Sequence, residues 1–403
     1  MTETFTPDQV RHAQEVVDYT FNRMARLCAT SGWDDSRGGT RERLLADLTP
    51  APLGYRRGMV VGRQLFFFSH AYRLTADPVY RNCAQCLFED LAENFWDSEN
   101  GGWYFSLGAD GGPADTTKDL YGHAFIMFGL AHYLAIFGGD EALNWIGRTN
   151  EIVFEHFELP EGWFAPATTR DWSHVGANLE QNPHMHLLEA YLSIYRATDD
   201  DAYLECAARI MSIYTDFLRT SDLKKVLEHL DESGRPSGEK GTFIQPGHLY
   251  EWYWLVGEYA DIAGQPALKT ESAPMIEWAD QHCLDTDAGG MFDLVDISAH
   301  VLSDRKRNWP MTERIKALAT LVRDEPAAER RKALTGSITF FLEKYCRADG
   351  SWHEYLTRDL RPDCGYLPLS TPYHVAMAAL EVERLFGGPG AFGMTNGQSP
   401  EFR

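Results

Sequence analysis

Twelve helix-forming segments in this chain are joined by connections that alternate between very short and very long, and that alternation is what most limits the fold. Apolar periodicity and helix-start signals predict helices near 7–30, 58–75, 78–96, 119–137, 140–157, 183–197, 200–219, 246–263, 266–283, 310–323, 326–346 and 372–386. Thr6-Pro7-Asp8-Gln9 reads as a capping box with proline at the first helical position. The same device of a residue before proline recurs at Asp77-Pro78, Asn182-Pro183, Gln245-Pro246, Gln265-Pro266, Trp309-Pro310, Glu325-Pro326 and Thr371-Pro372. From an even-numbered helix to the next odd one only about two to four residues remain, as at Thr75 to Asp77, Gly138-Gly139 and Thr198-Asp199. From odd to even the chain spends more than about twenty.

Those long connections share a glycine turn, usually followed by an aromatic residue and a short extended run. Gly101-Gly102-Trp103, Gly162-Trp163, Gly289-Gly290-Met291-Phe292 and Gly350-Ser351-Trp352 are clear cases, with weaker cousins at Gly38-Gly39 and Gly234. They recur about every 55 to 72 residues, the mark of a repeat whose units cannot bury their apolar faces alone. Helical hairpins of this kind close into a toroid, one ring of helices inside the other, with the long loops at one end. An open superhelix of helix pairs is the structural alternative. A loop-rich end over a rigid scaffold is where function is usually placed.

Composition narrows the partners. A net charge of −22 argues against nucleic acid or an anionic membrane, each of which calls for a basic face. No apolar run approaches the roughly 20 residues of a membrane span, and the N-terminus lacks a basic region followed by an apolar core. The seven cysteines suit free thiols in a reducing compartment better than disulfides, so a cytoplasmic location is expected. Cys83-x-x-Cys86 falls inside a helical pattern with no second pair to complete a zinc site. We expect one domain over 1–403, its helical core at about 7–386 and a tail at 387–403.

The even-numbered helices follow the long loops, so their N-termini face the loop-rich end. At those N-termini stand Arg63 with Gln64, His123, His184 with His186 and Glu189, His248 with Glu251, Trp309 and His374. Asn182 is placed as the N-cap of the helix carrying His184 and His186. His186-x-x-Glu189 and His248-x-x-Glu251 set a carboxylate beside an imidazole on one helix face, which fixes its tautomer and raises its pKa. The same spacing also serves a plain intrahelical hydrogen bond, and His and Glu on facing helices also suit a metal, although no HExxH or closed Cys/His set is present. Trp103, Trp163, Trp309 and Trp352 lie on or near the glycine loops, where a tryptophan either stacks on a sugar ring or packs the loop. Phe66 to Phe68 and Trp252-Tyr253-Trp254 read as core.

Together, Asn182-x-x-x-His186-x-x-Glu189-Ala190, His248-x-x-Glu251, Gly62-Arg63-Gln64 and Thr371-Pro372-Tyr373-His374 resemble the N-acylglucosamine 2-epimerase superfamily, which includes cellobiose 2-epimerases and mannose isomerases. The resemblance runs from about residue 10 to 386. It implies an all-α fold, an (α/α)6 barrel of twelve helices, and chemistry at C1 and C2 of an aldose without metal or other cofactor. His248 and His374 match the general acid/base pair, His186 the histidine that assists ring opening, and Arg63 the arginine at O1 and O2. Asn182, Glu189, Glu251 and Trp309 match orienting or sugar-lining positions, while His123 and His184 stand as further substrate-binding candidates outside the shared motif.

Removing the C2 proton beside an aldehyde gives an enediolate, which needs a base of near-neutral pKa and a positive partner for the oxyanion. Return of the proton to C1 yields a ketose; return to C2 from the other face yields the 2-epimer. The cellobiose epimerases carry a Trp-Trp pair where this chain has Asn308-Trp309-Pro310, and a further tryptophan where it has Leu367-Pro368-Leu369. The expectation is therefore a mannose–fructose isomerase, with lyxose and xylulose as a slower pair, acting on a small monosaccharide as a monomer or homodimer. A 2-epimerase is the first alternative. An (α/α)6 glycoside hydrolase using Glu189 and Glu251 is a more distant one, and a non-catalytic glycan- or protein-binding role the last.

Overall fold

The computed structural model describes residues 5–388 together with Gly390 and Ala391, so the tail read from 387 onward lies mostly outside the described residues. Among these are twelve helices: α1 (7–29), α2 (Gly58–Thr75), α3 (78–95), α4 (Leu120–Phe137), α5 (140–157), α6 (Gln181–Thr198), α7 (201–218), α8 (Pro246–Ile262), α9 (Ala267–His282), α10 (Asn308–Asp324), α11 (Ala328–Lys344) and α12 (Pro372–Leu385). α1 opens on the expected capping box, the Gln9 amide donating to Thr6 Oγ1 and the Thr6 amide to Gln9 Oε1. One expected cap is corrected: α6 is capped by Glu180 and begins at Gln181, so Asn182 lies within its first turn. The extended backbone of Glu180, paired with His229, ends the preceding strand and leaves Gln181 free to start the helix.

The even-numbered helices form the inner ring and are buried almost all round; in α2 every residue from Gly58 to Ala71 is buried. The outer α3 buries one stripe, Tyr80, Cys83, Ala84, Leu87 and Phe88, at the helical spacing of a two-sided surface. Each inner helix packs on the next, and α12 returns to α2, which makes an (α/α)6 barrel closed on itself rather than an open superhelix. α4 departs from the sequence expectation in being long and apolar enough to cross a membrane, but 67% of it is buried inside this ring. Close approach at one inner crossing is allowed by glycine. A Cβ on Gly129 of α4 would stand 2.4 Å from the Gly62 carbonyl oxygen of α2.

Neighbouring long loops are stitched to each other by short antiparallel pairings. Tyr55–Arg57 pairs with Ser106–Gly108, Lys118–Asp119 with Ala167–Thr168, and Leu179–Glu180 with His229–Leu230. Phe243–Ile244 pairs with Leu294–Asp296, Lys306–Arg307 with Tyr355–Leu356, and Tyr366–Pro368 with Arg43–Leu45, which closes the circuit. The glycine turns owe their residue type to backbone geometry, since Gly38, Gly101, Gly102, Gly162, Gly289, Gly290 and Gly350 all have positive φ. In the fourth unit Leu223 takes the left-handed position instead, and Gly234 serves a later turn closed by the Asp231 carbonyl.

Two ion triads, each a buried aspartate and lysine with an arginine reaching in from the surface, lock opposite loops. Lys118 and Arg170 meet Asp97 at 3.1 and 2.8 Å, and Lys306 and Arg358 meet Asp285 at 2.8 and 3.0 Å. Both triads keep the same spacing, 21 residues from Asp to Lys and 73 from Asp to Arg, so the two halves of the barrel repeat each other.

Candidate active site

Three histidines converge at the loop end, each with a buried carboxylate behind it. His186 Nδ1 lies 3.0 Å from Glu189 Oε2, the intrahelical pair expected from the spacing. His248 does not pair with Glu251. Its Nδ1 meets Glu228 at 2.9 Å, a residue on the loop before α8, because that carboxylate is fixed by the Gln181 side chain at 2.8 Å and the Gln245 amide at 3.0 Å. Gln181 is oriented in turn by Trp252 Nε1, which donates to its Oε1 at 2.6 Å. His374 Nδ1 lies 2.7 Å from Glu313 Oε1 of α10. Glu251 instead stands 3.7 Å from the Lys316 ammonium and 3.4 Å from the Tyr373 hydroxyl.

Arg63 reaches this cluster because α2 lies so close to α4. Its guanidinium rests 3.9 Å from the Phe125 ring centroid, donates to Tyr121 Oη at 2.6 Å and to the Ser370 carbonyl at 3.3 Å, and leaves Nε without a protein partner among the described residues. Trp309 lies between two of the histidines, its ring 5.0 Å from His248 and 5.2 Å from His374. Gly247 makes that position available, since a Cβ there would stand 2.3 Å from the indole. Asn182 keeps a buried Oδ1 without a partner among the described residues.

The histidines differ in charge. Burial opposes a charge on His248, but the Glu228 carboxylate outweighs it and holds the imidazole above its ordinary value, while Glu228 is held below its own by the same ion pair despite burial. His374 is pushed well below the usual histidine range by burial, then by Arg63, His186, Lys316 and Arg307. His186 is likewise driven down, by burial and against the pull of Glu251. Burial thus keeps His374 and His186 neutral near neutral pH, while the Glu228 carboxylate favours the charged form of His248.

Two of the candidates have structural duties elsewhere. His123 Nε2 accepts from the Trp103 amide at 3.0 Å while Nδ1 donates to the Asp119 carbonyl at 2.8 Å. His184 repeats the arrangement one unit later with the Phe164 amide at 3.0 Å and the Glu180 carbonyl at 2.7 Å. Both are clamps that tie a glycine loop to the start of an inner helix, and burial pushes them down to about 3 and about 4. Trp103, Trp163 and Trp352 are buried and bond to Thr149, Ala177 and Glu354, so they pack loops; Trp309 alone of the four meets the histidines.

Sequence reasoning passed over Gln181, Glu228, Glu313, Lys316, Tyr121 and Tyr373. Part of the signal was present, since Trp309, Glu313 and Lys316 follow at i, i+4 and i+7 on one face of α10. Glu228 had none, being a loop residue brought in by strand pairing. His186, Glu189 and Glu251, and separately Glu251, Glu313 and His374, are close enough to ring an ion, with ligand atoms within 4.8 Å. The charge in their midst is the Lys316 ammonium, 2.5 Å from Glu313 Oε2. All seven cysteines, Cys83 and Cys86 among them, are free thiols.

An (α/α)6 barrel with carboxylate-backed histidines and an arginine at its loop end defines an enzyme of the sugar epimerase and isomerase class. The chain belongs to the N-acylglucosamine 2-epimerase family, whose profile matches residues 38–378. It is 27% identical over 285 residues to the cellobiose 2-epimerase of Bacteroides fragilis, covering 67% of this chain and 72% of that protein. To the mannose-6-phosphate isomerase of Rhizobium meliloti it is 28% identical over 384 residues, covering 92% and 96%. The solved cellobiose 2-epimerase of Spirochaeta thermophila superposes with a TM-score of 0.87 at 21% identity, over 95% of this chain and 98% of that one, which speaks to fold alone.

Proposed function

We propose that the protein interconverts D-mannose and D-fructose, with D-lyxose and D-xylulose as a slower pair, through a cis-enediolate. The observation that carries this reading is the placing of His374 and His248, each backed by its own carboxylate, on either side of Trp309. His186 passes the O1 proton to the ring oxygen and opens the sugar. His374 Nε2 takes the C2 proton as O1 gains a proton from His248, giving the enediol. The O2 proton then returns to His248, and His374 delivers its proton to C1, leaving the ketose. Arg63 holds the charge that develops on the oxygens. A hydrolytic pair is less well supported, because Glu189 is engaged by His186 and Tyr373, and Glu251 faces Lys316 and Tyr373.

A small, uncharged sugar fits the rim best. Leu367 and Leu369 are buried, and the Leu369 carbonyl accepts from Gln64 at 2.6 Å, so this stretch offers no aromatic platform for a second ring. Arg56 is paired with Asp90, Arg57 with Glu42 and Arg307 with Glu354, leaving these rim cations already matched by carboxylates rather than waiting for a phosphate. Turnover of D-mannose is accordingly expected to exceed that of its 6-phosphate at least tenfold in kcat/KM.

NMR of D-mannose incubated with the protein in heavy water tests the reading. Fructose carrying deuterium or transferred hydrogen at C1 supports it. Glucose deuterated at C2 would move the assignment to a 2-epimerase, the second reading, which the pull of Glu228 toward the charged form of His248 favours by making it a donor to C2. No exchange with any aldose would end both.

A further inference from the structure

Glu313 is held from two sides. Its Oε1 lies 2.7 Å from His374 Nδ1 and its Oε2 2.5 Å from the ammonium of Lys316, one turn further along α10. Lys316 is fully buried, its Nζ 4.1 Å from the centroid of the Trp254 ring, and it also faces Glu251 at 3.7 Å. A lysine in such a place is expensive unless it is charged and matched. A carboxyl beside a neutral imidazole has two forms with opposite consequences. As a carboxylate, Glu313 accepts from Nδ1–H and leaves the Nε2 lone pair of His374 bare. As an acid it donates to Nδ1, and Nε2 then carries the hydrogen and is no base.

Accepting the proton-transfer role given to His374 above, we propose that Lys316 is a positioning residue that selects the catalytic tautomer of His374, keeping Glu313 a carboxylate so that Nε2 stays bare toward the substrate. Burial and the neighbouring Glu251 push Glu313 well above the ordinary carboxylate range, and the Lys316 ammonium, 2.5 Å from Oε2, is the cation that opposes them, so that its loss leaves nothing to hold the charged form. Lys316 itself is held above the ordinary lysine value by Glu313, Glu251 and Glu189 in spite of its burial, so it remains an ammonium throughout the pH range of the reaction.

The tautomer can be read without any sugar, from ring 15N shifts of histidine-labelled protein, with His374 assigned by its loss in His374→Gln. In the unsubstituted protein Nδ1 carries the hydrogen; finding it on Nε2 would overturn the proposal, whatever the enzyme's substrate. In Lys316→Met the hydrogen moves to Nε2 and kcat for the sugar that the parent turns over falls about a hundredfold, with KM changed less than threefold. Lys316→Arg keeps the parent tautomer and most of kcat, which a merely space-filling lysine would not explain. A Lys316→Met protein that keeps Nδ1–H, or that keeps kcat within threefold, refutes the role. Should the parent act on no sugar at all, the proton-transfer reading fails while the tautomer experiment still decides about Lys316.

Discussion

Glu228 accepts from the Gln181 amide, from the Gln245 backbone and from His248, so glutamine in its place keeps the volume and removes the charge. That charge is what raises His248. In Glu228→Gln the imidazolium should lose its proton at lower pH, and the alkaline limb of the kcat profile should move to more acidic values while the acid limb, set by other groups, stays put. His248→Ala and His374→Ala should each lower proton exchange at C2 by about a factor of 100 to 10,000, with circular dichroism unchanged. Near-normal exchange in either would sink the mechanism. At this scale the sequence was a partial guide. His186, His248, His374 and Arg63 were visible because each sits near an N-terminus that a proline or a long loop announces. Their partners were less so: an i, i+3 rule finds Glu189 but misassigns Glu251, since it cannot know that Glu228, 20 residues before His248, is delivered by a paired loop.

The inner helices were legible almost to the residue, because a long apolar run after a loop has few other ways to fold. Their register against the loops was not. His123 and His184 occupy the same place in successive units, on the first turn of α4 and α6, and what they bind is the backbone amide just after a glycine turn. Replacing either by alanine strands a buried N–H, at a cost of about 1–3 kcal/mol. Each variant should therefore melt several degrees lower while its kcat stays within about twofold. A loss of kcat without a loss of melting temperature would return these two residues to the site. The place at a helix N-terminus that suggested substrate contacts is also the place from which each unit ties down its glycine loop, and one sequence cannot separate a residue repeated for stability from one kept for chemistry.

Across the whole molecule, neutral histidines are buried at both ends of the inner ring. His70 and His132 meet at 3.0 Å in the C-terminal halves of α2 and α4, and burial holds His132 at about 3 and His70 well below its usual value. With His123 at about 3 and His184 at about 4, these groups bind fewer protons folded than unfolded. Their stabilisation is fully present above the unfolded histidine value of about 6.5 and is lost progressively as pH falls from there. Melting temperature should decline steadily from about pH 6.5 toward pH 4, and a flat curve over that interval would show that the four do not titrate on unfolding. The final loop pairing, Tyr366–Pro368 against Arg43–Leu45, has a different consequence. It clasps the loop of the first unit to the loop of the sixth, and His374 follows it by only a few residues. Until that pairing forms the rim is open and His374 is not held across Trp309 from His248, so on the proposed reading the site is complete only when the ring closes.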